Sequence, residues 1–144
     1  MLWSVCIPGF GQFYNRDYVI GLLLFIIEIV VNVNSKLNLA ILYSFTGQTS
    51  LAVEVVDYQW VLFYPCLYAY SLWQAYNKAV EINWINKGAG PDGPPLRFNG
   101  AFLGAAFCGT LGLIYSPVIG PVFGGILGMS AGAAAGEVAA RLFK

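Results

Sequence analysis

The sequence predicts an all-α integral membrane protein. We expect about four transmembrane helices, a short N-terminal apolar segment, an interfacial helix and a C-terminal glycine-zipper hairpin. Three observations carry this expectation. Hydrophobic residues make up 58% of the chain and charged residues 10%, with a mean hydropathy of +0.68; a soluble domain typically covers its surface with about 25% charge. The apolar residues are gathered into runs separated by short polar breaks. The last part of the chain repeats glycine at every fourth position.

The elements follow in order. Residues 2–14 are apolar but interrupted by Pro8, Gly9 and Gly11. As a helix they reach only about 20 Å against a hydrocarbon core of about 30 Å, so they span, re-enter or lie on the surface. No basic residue precedes this stretch and no clear small-x-small site follows it, so it does not read as a cleaved signal peptide. After Asn15-Arg16-Asp17, residues 18–33 form a proline-free apolar run that reads as a transmembrane helix. Residues 34–56 are mixed, and Gly47 to Ser50 break them into an interfacial helix, a turn and a second short helix. Residues 58–76 read as the second span, rich in aromatics and kinked at Pro65. Residues 78–99 read as a polar loop around GAGPDGPP. Residues 100–144 form a glycine- and alanine-rich block, split at Ser116-Pro117 into arms of residues 101–115 and 118–140. The chain thus divides into an N-terminal membrane region (1–77), a loop (78–99) and a zipper hairpin (100–144).

These spans place Arg16, Lys78, Lys87, Arg97, Arg141 and Lys144 on one side and only Lys36 on the other. The positive-inside rule then predicts a multi-pass protein of the cell membrane, with the 78–99 loop and the C-terminus cytoplasmic. The turn at Tyr115-Ser116-Pro117 and residues 34–57 face outward. Formal net charge is zero and no basic run occurs, which argues against a nucleic-acid partner. There is no histidine, which removes histidine-based triads, HExxH zinc sites and haem–histidine ligation. No cofactor is expected. Cys6, Cys66 and Cys108 are dispersed in apolar stretches and read as small buried residues rather than a disulfide framework.

Four features could carry function. Gly120, Gly124, Gly128, Gly132 and Gly136 line one slowly drifting face of the last arm, and Gly100, Gly104, Cys108 and Gly112 give the preceding arm a matching small-residue face. Such faces let helix backbones approach closely in lipid. The groove either packs the two arms together or joins protomers into a homo-oligomer. Glu28 is a carboxylate inside an apolar run. It is expensive there, which points to an ion- or proton-handling site or an interhelical contact, unless it reaches the interface from its position near the outer end. Tyr64 and Tyr68 share a face with Trp60 and, approximately, Leu72. Their hydroxyls need acceptors, for which Glu28 is a candidate; the alternative is aromatic packing alone.

The fourth feature is Pro8-Gly9-Phe10-Gly11-Gln12-Phe13-Tyr14-Asn15, followed by Gly21 and an apolar run. Pro8 and the two glycines permit a tight backbone break, while Gln12 and Asn15 can satisfy the groups it frees. This P-G-x-G-Q-x-Y-N signature resembles that of small bacterial membrane proteins related to the two-transmembrane-helix domain family, over roughly residues 3–33. Asn15-Arg16-Asp17 stands here where that family carries Asp-Arg-Phe near its turn. The resemblance implies a membrane hairpin in a bacterial plasma membrane. Residues 100–144 separately resemble glycine-zipper membrane segments.

No phosphate loop, paired metal-ligand motif or nucleophile elbow occurs, and Gly9 and Gly11 do not follow a strand. The expected function is a non-catalytic membrane scaffold or accessory subunit acting through helix packing, its partners the lipid bilayer and a second copy or another membrane protein. The alternative is a small oligomeric pore, channel or transporter. Thr110, Ser116, Ser130 and Glu137 are the few polar residues the zipper arms offer to a lumen.

Overall fold

Before its first long helix the chain doubles back on itself. In the computed structural model, which describes residues 2–88, 93–115 and 118–143, α1 (Leu2–Cys6) and α2 (Phe10–Tyr14) meet at a break over Ile7, Pro8 and Gly9. The rest is helical too, with no strand among the described residues: α3 (Tyr18–Ser35), α4 (Leu37–Phe45), α5 (Thr49–Val55), α6 (Tyr58–Val61), α7 (Tyr64–Asn86), α8 (Asn99–Tyr115) and α9 (Gly120–Leu142). Helices α3 and α9 are long and apolar enough to cross a membrane, with mean hydropathies of 2.0 and 1.3 over their most apolar windows. Only 22% of each window is buried, so most of this apolar surface faces outward. Along α3 the outward row includes Val19, Leu22, Ile26 and Val33. A core helix of a water-soluble fold buries such side chains.

Side-chain pairings fix the arrangement. Asp17 meets Gln74 and Glu28 meets Tyr64, so α3 and α7 run antiparallel. Gly100 faces Gly136, Gly104 faces Gly132 and Gly112 faces Gly124; each advance along α8 is answered by an equal retreat along α9, so these helices are antiparallel as well. Asn77 bonds Arg97, and Asn15 bonds the Ala75 carbonyl. Arg16, Lys78, Arg97 and Arg141 therefore gather at one end of the bundle. Lys36 lies at the other, where Leu37, Ala40, Val56, Val61, Leu113 and Val122 form the core beneath α4 and α5.

Three expectations are corrected. Residues 58–76 are not one kinked helix. The chain breaks at Leu62 and Phe63, and Pro65 sits in the first turn of α7, where its missing N–H leaves no helical bond unmade. Helix α7 then continues to Asn86, so the first part of the expected 78–99 loop is helical; Lys78 and Glu81 are good helix formers and pair three residues apart at 2.9 Å. Cys6 and Cys66, expected inside, are exposed, while Cys108 is half-buried; the apolar runs around them have outward faces as well as inward ones. The expected interfacial helix, turn and second short helix correspond to α4, Thr46 to Gln48 and α5. Half of GAGPDGPP (residues 89–92), Ser116-Pro117 and Lys144 lie outside the described residues.

Candidate functional site

The N-terminal motif forms a polar lock against α7. Gly9 has φ +98, a backbone conformation that disfavours any side chain. A Cβ there would collide with the Gly21 carbonyl and lie 3.1 Å from the Phe25 nitrogen, so glycine is needed for both shape and approach to α3. The amide freed at the break donates to Ser71 Oγ at 3.1 Å, and the Gly11 amide donates to Ser4 Oγ at 3.0 Å. Gln12, fully buried, joins the two hydroxyls. Its Oε1 accepts from Ser4 at 3.2 Å and from Ser71 at 3.5 Å, while its Nε2 donates to the Ser71 carbonyl at 2.8 Å. Asn15 Nδ2 donates to the Ala75 carbonyl at 2.7 Å. Pro8 is buried behind the turn, whereas Tyr14 is 75% exposed and takes no part. The motif thus satisfies backbone groups that the break would otherwise leave unpaired. Ser4 and Ser71 complete the lock without having been singled out in the sequence; small polar residues within apolar runs were the available signal.

One helical turn deeper in α7, Tyr68 donates its hydroxyl to the Val5 carbonyl. Tyr64 donates to Glu28 Oε1 at 3.4 Å, and Asn32 Nδ2 donates to the same oxygen at 3.4 Å. The two tyrosine rings stack with centroids 5.9 Å apart. Tyrosine pairing and aromatic packing, weighed as alternatives in the sequence, occur together. Trp60 belongs to α6, across the chain break.

The zipper closes between α8 and α9. A Cβ on Gly104 or Gly112 would collide with the carbonyl of Gly132 or Gly124; one on Gly128 would strike the Cys108 carbonyl and one on Gly136 the Gly100 carbonyl. Gly120 is the exception. It has φ +82 and faces Thr49 at the head of α9, so it shapes the helix start rather than the seam. Gly109 and Gly125, off the repeat, serve other contacts. A Cβ on Gly109 would lie 2.9 Å from Pro65 Cβ, and one on Gly125 would lie 3.0 Å from Leu113.

Beside that seam, α7 stands away from α9 and leaves a cleft of about 840 Å³, within the range of about 300–1,000 Å³ usual for ligand pockets. It runs from Val61 and Leu113 at the core end to Tyr76 and Phe98 at the basic end, past Ala105 and Met129. It is open along its length, where Ile126 and Phe98 are 50% and 42% exposed.

No family model, curated protein or solved structure matches the chain.

Proposed function

We propose that the protein is a non-catalytic, multi-pass scaffold or accessory subunit of a bacterial plasma membrane, with α3, α7, α8 and α9 as its four spans. The observation that carries this reading is that the glycine groove is closed within the chain while the apolar rows of α3 remain unpartnered. A groove filled by its own partner arm has no room for a second copy, whereas unpartnered apolar rows suit lipid or another membrane protein. Gathering of basic residues at one end supports a cytoplasmic placement for the 78–99 segment and the C-terminus. Kinship with the two-transmembrane-helix domain proteins stands in this proposal on the N-terminal motif alone.

The test is the oligomeric state in native-like nanodiscs, alone and with co-purified membrane components. The expected result is a monomer that joins a stoichiometric larger complex, with Gly128→Leu unfolding the chain rather than dissociating an oligomer. A homo-oligomer split into folded monomers by Gly128→Leu overturns the reading. One observation favours the pore or transporter alternative: the half-buried cluster of Glu28, Asn32 and Tyr64 between α3 and α7. Ion or proton flux in liposomes that is lost in Glu28→Gln establishes that alternative.

A further inference from the structure

The cleft between α7 and the hairpin has a chemistry of its own. Its wall is apolar and aromatic, and its hydroxyls along the middle are already engaged. Tyr64 bonds Glu28, Tyr68 bonds the Val5 carbonyl, and Ser130 Oγ donates to the Ile126 carbonyl of its own helix at 2.8 Å. Ordered water needs two to four polar partners, which this stretch does not supply; an alkyl chain needs none.

The basic end differs. Asn77 holds the backbone of Arg97 from both sides, its Oδ1 accepting from the Arg97 amide at 2.8 Å and its Nδ2 donating to the Arg97 carbonyl at 3.1 Å. The next residue, Phe98, has φ 60, an uncommon conformation for an aromatic residue. It is held there with its ring against Tyr76 at 5.1 Å. Trp73 Nε1 donates to Asn99 Oδ1 at 3.0 Å and closes the same corner. These contacts fix the Arg97 backbone next to Phe98, which lines the end of the cleft, and Arg97 is exposed there. Among the described residues, neither the Arg97 guanidinium nor the Tyr76 hydroxyl has a partner within the chain. An apolar slot lined at its end by Tyr76 and Phe98, with an unpaired guanidinium one residue along the chain, is complementary to an acyl chain ending in a phosphate.

We propose that this cleft binds one anionic phospholipid, with an acyl chain along Ala105 and Met129 and the headgroup phosphate on Arg97 and Tyr76. The proposal rests on the chain residing in a bilayer. It goes beyond the scaffold reading by assigning the protein a lipid ligand.

Trp73 lines the cleft and reports on it. The experiment reconstitutes the protein into phosphatidylcholine vesicles carrying equal fractions of either phosphatidylglycerol or phosphatidylcholine with brominated acyl chains, which quench nearby tryptophans. The Trp73 signal is the difference between wild type and Trp73→Phe. Brominated phosphatidylglycerol is expected to quench it with about fivefold higher apparent affinity than brominated phosphatidylcholine. Arg97→Gln removes the preference, Arg97→Lys retains it in part, and Tyr76→Phe weakens it. Circular dichroism confirms that each variant is folded; should Arg97→Gln not fold, Tyr76→Phe and Arg97→Lys decide. Equal quenching by both lipids, no quenching of Trp73, or a preference that survives both Arg97→Gln and Tyr76→Phe overturns the proposal. Failure of wild type to float with vesicles overturns the bilayer reading itself and the proposal with it.

Discussion

Gln12 concentrates more of the N-terminal structure in one side chain than any other residue of the lock. It accepts from two serine hydroxyls and donates to a carbonyl of α7. Gln12→Leu keeps the volume roughly constant and removes the acceptor for the two serine hydroxyl protons and the side-chain donor to the Ser71 carbonyl, so we expect a loss of about 1–3 kcal/mol; unfolding in mixed micelles followed by tryptophan fluorescence measures it. Glu28 and Tyr64 meet more weakly, at 3.4 Å. A double-mutant cycle on Glu28→Gln and Tyr64→Phe should give a coupling near 0.6 kcal/mol, about the average for interhelical hydrogen bonds in membranes, and a coupling indistinguishable from zero removes the pair from the account. The sequence indicated that Gln12 and Asn15 would serve a backbone break, because proline and glycine next to amides state the problem and its solution within a few residues. It did not indicate Ser71 as the partner of Gln12, since nothing local relates positions 59 residues apart.

At the scale of elements, the seam between α8 and α9 makes the sharpest prediction. Gly132→Leu drives a side chain into the Gly104 carbonyl and the Cys108 side chain, and overpacking of this kind typically costs about 1–3 kcal/mol, occasionally more. Ala134→Leu, two residues on and exposed, should change stability little in lipid. Equal effects from the two substitutions in the same unfolding assay would remove the seam as the contact that holds the hairpin. The hairpin was legible because a four-residue period in glycine has one geometric consequence on a helix. Gly120 shares the period yet leaves the face: it precedes Pro121 at the start of α9 and adopts a positive φ. The extent of α7 was misread for a different reason. Polarity marks exposure to water, and Lys78, Glu81, Asn83 and Asn86 enter where the helix extends beyond its most apolar part without ending.

For the whole molecule, the proposed topology predicts which side each polar segment occupies. Lys36→Cys and Lys87→Cys are expected to react with an impermeant thiol reagent from opposite faces of sealed vesicles, in a background where Cys6, Cys66 and Cys108 are serine. Labelling of both from one face overturns the four-span arrangement. An all-helical architecture and the apolar runs were legible from composition and spacing. The cleft was not, because it arises from how α7 and α9 both pack against α8, with Pro65 and Met129 both beside Gly109, and nothing local in the sequence states the separation that results.

A scale with evenly spaced marks cannot say where it begins, and the glycine seam is such a scale. Sliding α9 by one repeat against α8 would again set glycine against glycine over much of its length. Cys108 breaks this degeneracy. It occupies one step of the α8 row, and its Cβ lies 2.5 Å from where a side chain on Gly132 would start, so its thiol has a preferred place among otherwise interchangeable ones. Replacing Cys108 with glycine would complete the repeat and erase that mark. The hairpin would retain its affinity between arms and lose part of its means of choosing a single alignment, a loss visible as doubled resonances for α9 rather than as a lower melting temperature.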